Sequence, residues 1–378
     1  MNTTAYINGK VLSDGEMRDG LTVITRAGRI GKVQGTAEDI PAEADIIDLA
    51  GDYLLPGFID VQVNGGGGVL FNDQPTVEGI QAIAQAHRAF GTTGLLPTLI
   101  SDDIEVVEKA LAAAEEAIKR GIPGVLGVHI EGPFLNPERR GVHDEQKLRA
   151  LTREIVDALE PLPNGPTLLT LAPETVEAEW IVELTKKGFI VCCGHSNATQ
   201  EQVKQALDHG LRGFTHLFNA MSPLTSREPG VVGQALADEG SWCGIIADGH
   251  HVAPVSLDVA FRCKGRDRLM LVTDAMPPVG SAEPAFLLLG ERITVKDGVC
   301  RDERGTLAGA ALDMATAVLQ MSRLTSCSFA DACIMASATP AAFLGIDSER
   351  GSISAGKYAD LVIMDAQGRV KSSLVAGR

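Results

Sequence analysis

One unit recurs from about Leu55 to Gly345: a short apolar strand, a polar loop, an amphipathic helix, a glycine, then the next strand. The expected strands are Phe58–Asn64, Gly94–Thr98, Val125–Glu131, Leu168–Pro173, Phe189–His195, Gly213–Phe218, Gly244–Asp248 and Leu269–Asp274. They are rich in Val, Ile and Leu with little alternation, as parallel strands buried on both faces require. Ile104, Val107, Leu111 and Ile118 share one side of an expected helix, and Ile181 and Leu184 mark another. Gly121, Gly188, Gly210 and Gly265 stand where left-handed helix stops belong. Thr199-Gln200-Glu201-Gln202 has the pattern of a capping box. The crossover around Met221–Gly240 is interrupted by Pro and Gly and reads as a long loop with little helix. Eight such units imply an α/β fold with a TIM-like (β/α)8 barrel, for which about 250 residues is typical. A doubly wound open sheet is the alternative.

The two ends differ in texture. Residues 1–54 and 351–378 alternate short β-like runs with Asn-Gly, Ala-Gly and Gln-Gly turns. Neither segment alone buries enough apolar surface to stand by itself. Together they would form a small β-sandwich domain into which the barrel, residues 55–350, is inserted.

Composition excludes several classes. With 33 basic against 49 acidic residues the net charge is −16, and no basic cluster invites nucleic acid or a membrane surface. The seven scattered cysteines read as reduced core residues rather than a disulfide framework. The opening Met1–Tyr6 lacks the pattern of a signal peptide, and no apolar run reaches transmembrane length. A cytoplasmic globular protein is expected.

In barrels of this kind reactive groups gather at the C-terminal ends of the strands. Here those ends carry His129 and Glu131, His195, His216, Asp248 with His250 and His251, and Asp274. Of eight histidines only His87 and His209 fall in expected helices. Any one of these groups could merely cap a strand end by hydrogen bonding. Glu131, His195 and His216 together suit a three-ligand divalent metal site with an open position, zinc being the first choice. Proton transfer from free water to an Asp is uphill by about 16 kcal/mol, and coordination to the metal cuts this to roughly 4 kcal/mol. Asp274 can then act as base and later as acid. His129 lies on the same side of its strand as Glu131 and is expected to support the ligands rather than join them. The Gly65–Gly68 run lacks the features of a nucleotide loop.

These residues stand in longer motifs: Pro56-Gly57-Phe58-Ile59-Asp60, His129-Ile130-Glu131-Gly132-Pro133, Leu171-Ala172-Pro173-Glu174, Gly194-His195-Ser196-Asn197, Thr215-His216-Leu217-Phe218-Asn219-Ala220, Arg227-Glu228-Pro229-Gly230, Asp248-Gly249-His250-His251 and Val272-Thr273-Asp274-Ala275. In order and spacing the whole chain resembles the N-acetylglucosamine-6-phosphate deacetylases of the amidohydrolase superfamily. The resemblance implies that Glu131, His195 and His216 bind one metal ion and that Asp274 is the acid/base. It implies that His143, beside Val142, meets the acetamide carbonyl. Asn219, Ala220, Arg227 and His251 would hold the sugar phosphate, although His250 could replace His251. The loop Thr306, Leu307, Ala308 and Gly309 would close over the acetyl group. Arg227 would come from the neighbouring subunit of a homodimer or larger homo-oligomer. Where most of the superfamily has His-x-His for a second metal, this chain has Gln62-Val63-Asn64. Amides are weak ligands for such an ion, so a mononuclear site is expected, with Gln62 and Asn64 supporting the ligands or facing substrate. The implied reaction is removal of acetate from N-acetylglucosamine 6-phosphate. The galactosamine epimer, or an inactive sugar-phosphate sensor, is the alternative.

Overall fold

A computed structural model describes residues 3–35, 39–296 and 298–378. Met1 and Asn2, at the head of the segment read for a leader, lie outside them.

Eight parallel strands form the central sheet. In chain order they are Phe58–Val63, Thr92–Ile100, Val128–Glu131, Thr167–Leu171, Phe189–Cys193, Gly213–Phe214, Trp242–Ile245 and Leu269–Leu271, each paired with its sequence neighbour. Nearly every residue in them is buried, which explains their unbroken apolar character. The barrel closes just beyond the last strand: Val63 bridges Ala275, and Asp274 N donates to Gln62 O at 3.0 Å. The seam of the barrel therefore runs through Gln62, Asn64 and Asp274. Strands five to eight end two to four residues earlier than their motifs suggested, because there the backbone turns away to present side chains. His195, His216 and Asp274 all sit at positive φ (49°, 31° and 51°), a conformation that costs a non-glycine residue of order 1 kcal/mol or more and concentrates at functional sites.

The helices pack outside as expected, including Ile104–Lys119, Ala178–Lys187 with Gly188 left-handed at its end, and Gln200–Asp208 with its capping box formed. The sixth crossover holds more structure than its Pro/Gly content promised. Gly230–Ala237 is helical, buried through Val231, Val232 and Ala235, because Pro229 stops the loop and the apolar run can then wind.

The two chain ends meet in one seven-stranded sheet. Leu361–Met364 pairs with Tyr53–Pro56, which pairs with Thr3–Ser13 and so on to Arg29–Gln34. The sheet curls until Arg29 bridges Tyr358, enclosing Tyr6, Val11, Val23, Ile30, Leu54 and Leu361 in a core separate from that of the barrel.

A second small sheet was not anticipated. Ala285–Leu288, Glu291–Lys296, Val299–Arg301 and Leu307–Ala310 form an antiparallel meander after the last barrel strand. Its first turn is Leu289-Gly290, both at positive φ (53° and 83°), the backbone of a tight hairpin. Its last strand returns to the barrel mouth, where Ala275 bridges Ala310.

Candidate metal centre and substrate cavity

The third barrel strand ends on Glu131, the fifth delivers His195 and the sixth His216. Their ligand atoms converge: Glu131 Oε1 lies 3.2 Å from His195 Nε2 and 2.9 Å from His216 Nε2, and the two Nε2 atoms are 3.0 Å apart. Around a tetrahedral ion with bonds of about 2.0–2.1 Å, neighbouring ligand atoms stand roughly 3.3 Å apart. All three residues are buried.

Hydrogen bonding shows what the cluster needs. His195 Nδ1 lies 2.8 Å from the carbonyl oxygen of Arg139. A carbonyl only accepts, so Nδ1 carries a hydrogen, and in the uncharged ring that leaves the Nε2 lone pair facing the cluster. Lone pairs of nitrogen and a carboxylate packed this closely repel one another unless a proton or a metal cation lies among them. The donor set thus fits a divalent metal ion, and one carboxylate with two imidazoles suits zinc or a similar transition metal.

Asp274 completes the group. Its Oδ1 accepts from Asn64 Nδ2 at 2.6 Å and from Gln62 Nε2 at 3.1 Å, while the same Gln62 nitrogen donates to Glu131 at 3.2 and 3.3 Å. Burial raises the Asp274 carboxyl above its ordinary range, and the nearby Glu131 charge adds to the rise. Burial also opposes ionisation of Glu131, but contact with His195 and His216 outweighs it and holds that carboxyl well below the usual range. Beneath them, His129 bonds Thr170 (2.8 Å) and Thr98 (3.3 Å) and does not reach the cluster; burial lowers it to about 4. Asp60, which the motif carried without a role, accepts from Thr273 and from Gln62 N and ties the two sides of the seam together.

Above the cluster lies a cavity of about 340 Å³. Glu131, His195, His216, Asp274, Asn64, Val142, His143, Asn219, Ala220, His251, Leu307 and Gly309 all line it. A side chain at Gly309 would meet Met276 Cγ at 2.6 Å, so this approach of the meander to the barrel requires glycine. One expectation needs adjustment, and two others find their place. Ala308 is buried in the meander's own core and faces away, since neighbours in a strand point to opposite sides. His250 is exposed, and it is His251 that turns inward, its Nδ1 held 2.6 Å from Asp248 Oδ2. Arg227 is on an exposed loop outside the cavity, and its side chain makes no hydrogen bond or ion pair among the described residues. Thr306, expected in the closing loop, lines the cavity too; Ile100, Gly141 and Met276 also line it and were not foreseen, being apolar or small with no chemistry to betray them. A larger groove, about 1110 Å³, lies around Gly121–Leu126 at the opposite end of the barrel and holds none of these groups.

His143 is held in one orientation by its partners. Its Nδ1 accepts from Ser101 N at 3.2 Å, a backbone N–H that can only donate, and contacts Ser101 Oγ at 2.7 Å. Its hydrogen is therefore on Nε2. Burial, with His195 adding to it, lowers its pKa to about 3.

Residues 53–378 match the Amidohydrolase family. The chain is 44% identical to an N-acetylgalactosamine-6-phosphate deacetylase of Shewanella sp. (strain ANA-3), over 97% of this chain and 93% of that one. It is 37% identical to the N-acetylglucosamine-6-phosphate deacetylase of Haemophilus influenzae, over 88% and 87%. Its fold superposes on the crystal structure of N-acetylglucosamine-6-phosphate deacetylase from Pasteurella multocida with a TM-score of 0.94 at 34% identity, covering 99% of this chain and 98% of the other. With a barrel of this topology and Glu131, His195, His216 and Asp274 gathered at its mouth, the chain belongs to the amidohydrolase family, among its N-acetylhexosamine-6-phosphate deacetylases.

Proposed function

We propose that the protein hydrolyses N-acetyl-D-glucosamine 6-phosphate to D-glucosamine 6-phosphate and acetate, in amino-sugar breakdown. The observation that carries this reading is Oδ2 of Asp274, which has no hydrogen-bond partner among the described residues, beside a Glu–His–His cluster in a cavity large enough for one sugar. Glu131, His195 and His216 would hold one divalent ion, most simply zinc, which supplies charge to polarise the amide and to acidify water. The chain's own groups do the rest. Gln62 and Asn64 occupy Oδ1 of Asp274, so Oδ2 is the oxygen that takes a proton from the nucleophile and returns it to the leaving amine. The raised carboxyl of Asp274 suits a group that must do both near neutral pH. His143, neutral with Nε2–H free, donates to the acetamide carbonyl oxygen. Asn219, Ala220 and His251 hold the sugar phosphate, and Leu307 with Gly309 covers the acetyl group.

In this reading residues 55–350 form the catalytic barrel and residues 1–54 with 351–378 a small β-domain. Arg227 completes the phosphate site of a second copy in a homodimer, which accounts for its position outside the cavity of its own chain. A cytoplasmic location fits such a substrate, and no described helix is long and apolar enough to cross a membrane. The 44% identity with an N-acetylgalactosamine-6-phosphate deacetylase supports a second reading, the epimeric substrate.

Acetate release from the two epimeric sugar phosphates tests the function. The gluco epimer is expected to show the higher kcat/KM; a clear excess for the galacto epimer selects the second reading, and release from neither rejects both. Metal analysis of the active protein is expected to give one ion per chain, because Gln62 turns an N–H donor rather than a ligand toward the cluster. Two ions per chain, both needed for activity, would refute that stoichiometry. Arg227→Ala is expected to lower kcat/KM for the phosphorylated sugar roughly ten- to a hundred-fold, as loss of a hydrogen bond to a charged group does. Unphosphorylated N-acetylglucosamine should be turned over equally by both enzymes. An equal loss on both sugars would assign Arg227 to support of the fold.

A further inference from the structure

Glu174 closes the Leu-Ala-Pro-Glu motif at the end of the fourth barrel strand and does not line the cavity, yet both of its carboxylate oxygens accept hydrogen bonds from the loops beside the cluster. Its Oε1 accepts from Asn197 N at 2.5 Å and from Asn136 Nδ2 at 2.9 Å, and its Oε2 from Ser196 Oγ at 2.6 Å. Ser196 and Asn197 directly follow His195, whose own carbonyl accepts from Asn136 N at 3.0 Å. Glu174 thus grips both the turn that holds His195 at positive φ and the loop packed against it.

From there the bonds continue to the imidazole. Asn197 Oδ1 accepts from Arg139 Nε at 3.0 Å and Nη2 at 2.9 Å, and Asn197 Nδ2 donates to Glu138 Oε2 at 3.2 Å. Arg139 is the residue whose carbonyl oxygen takes the His195 Nδ1 hydrogen at 2.8 Å. A closed circuit runs from Glu174 through Asn197 and Arg139 back to His195. Its only contact with the imidazole is the one that decides which ring nitrogen carries the hydrogen.

We infer that Glu174 and Asn197 are positioning residues that set the orientation and tautomer of His195, and that through it they set the protein's affinity for the metal ion. The inference rests on His195 being a ligand. Should the circuit open, the Arg139 carbonyl drifts from Nδ1, the hydrogen is no longer held there, and the Nε2 lone pair is no longer aimed at the cluster. Groups that orient a metal-binding histidine this way typically contribute about ten- to a hundred-fold in metal affinity.

The test uses the full-length protein, stripped of metal and titrated with zinc against a chromophoric chelator. Glu174→Ala is expected to bind zinc about ten- to a hundred-fold more weakly, and Glu174→Gln, which keeps an acceptor at Oε1, to recover much of the loss. Asn197→Ala guards against a variant that merely misfolds. Asn197 is exposed, so the melting temperature of its metal-free form should stay at that of the wild type while its zinc affinity falls about ten-fold. Loss of zinc affinity in Asn197→Ala without loss of metal-free stability supports the circuit. Wild-type affinity in both Asn197→Ala and Glu174→Ala overturns it. His195→Ala separates the two readings: if it keeps zinc, the ligand assignment has failed, and if it alone loses zinc, only the positioning role has.

Discussion

Replacing Asp274 by asparagine is expected to leave the metal in place and to cut kcat at least ~10²-fold, the lower end of what a positioned acid/base supplies. The geometry makes this a clean substitution. Asparagine keeps an Oδ1 that can accept from Gln62 and Asn64, so the side chain should stay where it is, and it loses only the ability to carry a proton. A second consequence follows from burial. The Asp274 carboxyl is raised in the folded protein, so its contribution to stability is present below its unfolded value near 3.9 and is lost as pH rises through the folded value. At neutral pH the unfolded chain ionises this carboxyl without cost and the folded chain does not, so metal-free Asp274→Asn should melt at a higher temperature than the wild type. Steady-state turnover, metal content and a metal-free melt measure all three. Near-native kcat would show that another group carries the proton.

How far the site could be read from the sequence depended on what kind of information each part needed. The barrel was legible because its strands must be buried on both faces, which leaves continuous apolar runs, and because helices between them end on glycines that no other residue replaces easily. Glu131, His195, His216 and Asp274 were legible because strand ends face the mouth of any such barrel, so a polar residue there has little reason to exist unless it acts. The meander Ala285–Ala310 was not. Its strands are partly exposed and irregular, so neither a buried run nor a strict alternation marks them, and only turns such as Leu289-Gly290 give a sign. Glu174 was visible as part of a motif but not as a support, since its partners Asn136, Ser196 and Asn197 come together only when two loops meet. The choice between His250 and His251 turned on one buried contact, with Asp248, that adjacent histidines in a sequence cannot disclose. Arg227 stands apart: its side chain has no hydrogen-bond or ion-pair partner among the described residues, so only the motif it sits in marks it.

Removing the metal is expected to abolish turnover completely and to lower the melting temperature, with both restored by zinc. A ligand that binds only the folded form stabilises it by about 4 kcal/mol at a thousand times its dissociation constant, and here the ion also relieves the repulsion among Glu131, His195 and His216. Protons compete for the same atoms. In the metal-free protein burial disfavours a charged His216, but the adjoining Glu131 carboxylate outweighs this and raises the imidazole above its ordinary 6.5. The stabilisation from that ion pair is then fully present below about 6.5 and disappears as pH rises through the higher folded value. Metal binding runs the opposite way, since it requires His216 without its proton. Zinc affinity should therefore fall as pH is lowered from 8 toward 6, while the metal-free protein gains stability over the same range, so that the shift in melting temperature produced by zinc shrinks from both sides. Melting curves with and without zinc across that range would measure it. A zinc-induced shift independent of pH would mean that His216 does not exchange a proton for the ion, and Glu131, His195 and His216 would lose their standing as the metal site.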